Sequence, residues 1–74
     1  MKPFIETKTS NNCKVLIDLN EVSAVVENPR TYPKFETTYT IFLRNSNHTF
    51  RFEEDTGLEI YETYKNFLAW KYHG

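Results

Sequence analysis

At 74 residues and 8.8 kDa the chain holds one domain, 1–74, close to the lower size at which a single hydrophobic core sustains folding. Nine basic against ten acidic side chains leave a formal charge of −1, which excludes the broad positive field of most nucleic-acid binders and leaves only a local patch for that purpose. The one cysteine, Cys13, excludes an intramolecular disulfide and a cysteine-based zinc site.

The opening MKPFIETKTS has no apolar run of signal-peptide length, and no segment approaches the roughly 20 apolar residues of a membrane span. A cytoplasmic protein that uses no membrane is expected. Phe4 to Lys8 reads as a short strand, with Pro3 tolerated near its start because proline lacks a ladder donor. Ser10-Asn11-Asn12 is a polar turn that returns the chain antiparallel. Lys14 to Leu19 alternates, with Val15, Ile17 and Leu19 on one side, and after a break at Asn20-Glu21 the residues Val22, Ala24 and Val26 alternate against Ser23, Val25 and Glu27. The first three strands read as a meander.

From Asn28 to Glu36 the alternation fails. NPRTYPKFE carries two prolines that push their preceding residues toward extended backbone, and the segment is longer than an ordinary hairpin loop. Its aromatics, Tyr32 and Phe35, either cap an end of the core or, with Arg30 and Lys34, present a contact surface. Thr37 to Phe52 then reads as the central hairpin, two alternating runs around the turn Asn45-Ser46-Asn47. Tyr39, Ile41 and Leu43 share one face, as do His48, Phe50 and Phe52. Thr56-Gly57-Leu58-Glu59 matches a capping box, so a helix is expected over about 56–72, with Ile60, Tyr61, Tyr64, Phe67, Leu68 and Lys71 on one stripe. The fold class is therefore α+β: about five short antiparallel strands within 3–53, in two groups separated by the 28–36 excursion, and one C-terminal helix packed on a face.

Two sheet faces follow. The first gathers Phe4, Val15, Ile17, Leu19, Val22, Ala24, Val26, Tyr39, Ile41, Leu43, Phe50 and Phe52 as a core for the helix. The second holds Ile5, Leu16, Val25 and Phe42 among Thr38, Thr40, Arg44, Thr49 and Arg51, and one helix cannot cover both. Either the sheet curls into a partial barrel or the second face meets another copy or a partner. Trp70 lies off the helical stripe, placed to anchor a contact or to wrap the sheet edge.

Catalytic signatures are sparse. His48 and His73 sit at a strand start and at the terminus, and Cys13 has only Lys14 as a neighbour that could activate it. Glu53, Glu54 and Asp55 suit a helix N-terminus better than a metal, and no glycine-rich phosphate loop occurs. Catalytic residues, metal ligands and cofactors are therefore all read as none.

LIDLNEVSAVVEN followed by TYTIFLRNSNHTFRFEED and a terminal helix resembles small flagellar-operon FlbD-like proteins and short phage proteins of the same layout. The match spans about three quarters of the chain. It departs at Asn45-Ser46-Asn47, where that pattern has a glycine turn, and at the proline-containing excursion. The resemblance implies a strand-rich domain closed by a helix and brings no catalytic residue. The richness in Asn, Thr and Lys suits an AT-rich genome such as that of many phages. The expected function is a non-enzymatic protein-interaction module, with a homodimer among its forms and a phage-type modulator of a host protein as the finer reading. Its contact residues would be Arg30, Tyr32, Lys34, Phe35, Phe42, Arg51 and Trp70. The alternative uses the same aromatic and basic residues to bind single-stranded nucleic acid or a nucleotide.

Overall fold

The computed structural model describes residues 2–9, 11–30 and 36–73. Five antiparallel strands form two sheets, followed by one helix, an α+β fold. Strands β1 (Phe4–Lys8) and β2 (Lys14–Asp18) pair as a hairpin, with Ile5 opposite Ile17 and Thr7 opposite Val15. Strands β3 (Val22–Asn28), β4 (Thr38–Leu43) and β5 (Thr49–Phe52) form a second sheet in that order, and α1 (Glu54–His73) closes the chain. Both hairpin turns place an asparagine in left-handed backbone, Asn12 at φ 64° and Asn45 at φ 55°, a conformation its short amide tolerates better than most side chains do.

The expected meander does not form, because β2 and β3 lie in different sheets. The division between the two strand groups falls at a 3-10 turn, Leu19–Glu21, and not at the 28–36 excursion. Asp18 caps this turn by accepting a hydrogen bond from the Asn20 amide at 2.9 Å, and Leu19 is buried beneath it. The corner also joins the sheets. Leu19 N–H donates to the Pro3 carbonyl at 2.8 Å, and Arg44 N–H donates to the Glu21 carbonyl at 2.7 Å.

A β-bulge corrects the expected faces of β3. Val22 lies opposite Leu43, but Ala24 lies opposite Phe42, so Ser23 is an extra residue against β4. One inserted residue reverses the alternation beyond it. Val25, opposite Ile41, therefore packs against the core, while Ala24 and Val26 turn to the far side, contrary to the regular alternation. Ser23 fills its place in the bulge by donating its hydroxyl hydrogen to the Phe42 carbonyl at 3.2 Å. A similar correction applies to β1. Ile5 faces the core with Ile17, and Phe4 points outward at 44% exposure, because Phe4 pairs with Asp18 on the outer side of the hairpin.

The core comprises Ile5, Ile17, Leu19, Val22, Ile41, Phe52, Ile60, Tyr64 and Phe67, with Val15, Val25, Leu43, Phe50 and Leu68 packed around it. Helix α1 contributes a stripe at spacings of three and four, Gly57, Ile60, Tyr64 and Phe67, which meets the inner faces of both sheets. Tyr64 anchors it by donating from its hydroxyl to the Val22 carbonyl at 2.8 Å within the core.

The capping box does not operate, since α1 begins at Glu54 and Thr56 lies inside its first turn. The Glu53 carbonyl accepts the Gly57 amide at 2.7 Å, which makes Glu53 the residue that opens the helix. Gly57 is required there by the close approach of Tyr39. A Cβ at position 57 would lie 2.6 Å from Cγ and 2.7 Å from Cβ of Tyr39, and closer still to Cδ1. His48, expected on the second hairpin strand, lies in the exposed turn before β5, its amide donating to Ser46 Oγ at 3.0 Å.

Candidate functional site

The bulge and the strand register together build an outer sheet face pointing away from α1. Across it Ala24, Phe42 and Thr49 form one row, Val26, Thr40 and Arg51 the next, and Asn28 and Thr38 a third. Phe42, on the central strand, and Val26, on the edge strand β3, are each 40% exposed, large apolar side chains presented to solvent. The polar groups beside them are engaged with one another. Asn28 Nδ2 donates to Thr40 Oγ1 at 3.0 Å and is 3.3 Å from Thr38 Oγ1. Arg51, on the edge strand β5, stands diagonally beside Phe42 on this face.

Of the expected contact residues that are described, Phe42 and Arg51 are brought together. Arg30 is exposed, and its guanidinium pairs with Glu54 Oε1 at 3.0 Å, fastening the base of the excursion to the first turn of α1. Tyr32, Lys34 and Phe35 lie outside the described residues. Trp70 is 51% exposed on the last turns of α1, on the other side of the sheet from Phe42. Its ring leans on Phe67 with centroids 5.9 Å apart, and Lys71 Nζ lies 5.9 Å from the Phe67 ring and 5.8 Å from that of Tyr72. Ile5 and Val25, expected on the second face, belong to the core, whereas Leu16 is exposed on the outer side of the first hairpin.

The ionisable groups with displaced equilibria serve the fold. Tyr39 donates its hydroxyl hydrogen to Glu27 Oε2 at 2.7 Å, and this bond to a carboxylate, reinforced by burial and by the negative charges of Glu27 and Glu54, pushes its pKa up to about 12. The Tyr64 hydroxyl is pushed up by burial, against the opposing pull of Arg44. Glu36, Glu53, Glu54, Asp55 and Thr56 line a shallow mouth of about 270 Å³ at the start of α1. Among the described residues no three His, Cys, Asp or Glu side chains converge as metal ligands would. Cys13 is exposed at the tip of the first hairpin, its Sγ 3.9 Å from the Asn11 carbonyl. No helix among the described residues is long and apolar enough to cross a membrane.

Two determinants of this arrangement escape the alternation pattern, the extra residue at Ser23 and the contact of Gly57 with Tyr39. A signal for the first exists in VSAVV, where two small residues are followed by adjacent valines that a strictly alternating strand would place on opposite faces. Compared with protein-family models, with curated proteins and with solved structures, the chain matches none.

Proposed function

We propose that this chain is a non-enzymatic protein-interaction module whose contact surface is the outer face of the β3–β4–β5 sheet, anchored by Phe42. The observation that carries the reading is the 40% exposure of Phe42, on the central strand of a sheet face that α1 leaves uncovered. Large aromatic side chains with a neighbouring Arg are the residues from which contact sites draw most of their binding energy. The finer reading, a small modulator that acts by occupying a host protein, rests on the resemblance of the sequence to short phage proteins alone.

The experiment is affinity capture by the tagged full chain from source-cell lysate, with and without nuclease, comparing wild type with Phe42→Glu and with Leu16→Glu as an exposed control. A stoichiometric protein held by wild type and Leu16→Glu and lost in Phe42→Glu is expected. Equal capture by all three overturns this face as the contact surface. Binding of single-stranded nucleic acid is the second reading, favoured by Arg51 standing beside the exposed Phe42, where a base could stack against the ring and a phosphate meet the guanidinium. Capture that disappears on nuclease treatment would select it.

A further inference from the structure

We propose that β3 is a register switch: beyond Ser23 it slides by one residue along β4, absorbing the bulge, and so exchanges the side chains it turns to the core and to the outer face. The switch goes beyond the contact surface proposed above and holds whatever that surface binds.

The strand is compatible with two registers. In the observed one the bulge sets Val25 opposite Ile41 and Glu27 opposite Tyr39 on the side that α1 covers, with Ala24, Val26 and Asn28 outside. In the slid one Val22 keeps its place opposite Leu43, while Ser23 pairs with Phe42, Ala24 with Ile41 and Val26 with Tyr39. That is the plain alternation of VSAVVEN, with Val22, Ala24 and Val26 inward and Ser23, Val25 and Glu27 outward. A strand's register is fixed by the contrast between its two faces. In β3 that contrast is small, because valine is available to the inner side in either register.

Polar contacts select the observed register. The Tyr39 hydroxyl donates to Glu27 Oε2 at 2.7 Å, Asn28 Nδ2 donates to Thr40 Oγ1 at 3.0 Å and lies 3.3 Å from Thr38 Oγ1, and the Ser23 hydroxyl donates to the Phe42 carbonyl at 3.2 Å. A slide of one residue, about 3.3 Å, breaks all of these and displaces Arg30 from Glu54. In return it restores an unbroken ladder and buries Val26, now 40% exposed, together with Ala24 in place of Val25. Hydrogen bonds that water can replace contribute little net stability each, and the apolar gain opposes them. The two registers are therefore close in free energy. The slid register presents Ser23, Val25 and Glu27 in place of Ala24, Val26 and Asn28, which adds a carboxylate to the face that carries Phe42 and Arg51.

NMR of the full chain tests this, since cross-strand Hα and amide contacts report the register directly. Wild type is expected to show the observed pairing, with relaxation dispersion over Ala24–Asn28 and over Thr38–Phe42 opposite, from a slid population within about 0.1–10%. Val26→Lys places a charge that is outward in the observed register and inward in the slid one, and it is expected to abolish the dispersion. Tyr39→Phe combined with Asn28→Ala removes bonds that hold the observed register. Its contacts are expected to move to Ala24 opposite Ile41 and Val26 opposite position 39. A wild-type β3 without exchange overturns the proposal, as does dispersion that persists unchanged in Val26→Lys, or a folded double variant that keeps Val25 opposite Ile41. Should the double variant fail to fold by circular dichroism, wild type against Val26→Lys decides.

Discussion

Gly57 and Tyr39 form a tight constraint between helix and sheet. Replacing Gly57 by Ala gains up to about 1 kcal/mol of helix propensity. It also forces a methyl into the Tyr39 side chain, and overpacking costs about 1–3 kcal/mol. Tyr39 cannot retreat freely, since its hydroxyl is bound to Glu27 and its ring packs at a tilt against Tyr61 with centroids 6.0 Å apart. Gly57→Ala is therefore expected to lower stability by about 1 kcal/mol, seen as a reduced midpoint in urea, where helix propensity alone would raise it. Tyr39 also sets a pH dependence. Its pKa is raised on folding, so the stability it contributes is present below about pH 10 and declines as pH rises toward 12, where the folded phenol ionises. Tyrosine absorbance near 295 nm should show a late-titrating group in wild type. In Glu27→Gln that group should titrate earlier, because the strongest cause of the displacement is gone; an unchanged curve would refute the assignment.

Among the elements, β3 depends most on a single residue. Deleting Ser23 removes the bulge and restores plain alternation, which forces either Val22 or Val25 away from the core; loss of cooperative unfolding is expected. Ser23→Ala keeps the residue count and loses one exposed hydrogen bond, a cost of about 1 kcal/mol or less in chemical denaturation. The start of α1 gives a second contrast. If Thr56 capped the helix, Thr56→Ala would cost about 0.5–2 kcal/mol. Because Glu53 opens the helix and Thr56 sits within the first turn, a change below about 0.5 kcal/mol is expected. Near that turn, the Arg30–Glu54 pair is solvent-exposed on both sides and contributes at most about 1 kcal/mol, declining with salt.

At the scale of the molecule, α1 meets both sheets from within, and Phe67 is its most buried aromatic. A chain of this length has roughly 4–11 kcal/mol of stability to lose. Phe67→Ala, at about 3–5 kcal/mol, should remove a large part of it and lower the melting temperature steeply, as circular dichroism and a thermal melt would show.

The sequence by itself determined the elements and most of their inward residues. Strict alternation in Lys14–Leu19 and Thr37–Phe52 marks half-buried strands, and the three-and-four spacing of Ile60, Tyr64 and Phe67 marks a helix with one apolar stripe. These patterns are local, since each reflects the repeat of its own backbone. What the tertiary structure decided is everything that depends on a neighbour. Ser23 becomes an extra residue only against β4, and that pairing chooses which of Val25 and Val26 is buried. The turn at Leu19 separates two sheets only because Pro3 and Glu21 hold hydrogen bonds to distant segments. Gly57 is preferred over alanine only because Tyr39 arrives there, and Phe42 is a candidate anchor only because α1 packs on the opposite face. Alternation along a strand reports that two faces differ. Which face is covered is set by contacts between residues far apart in the chain, and a single inserted residue is enough to exchange them.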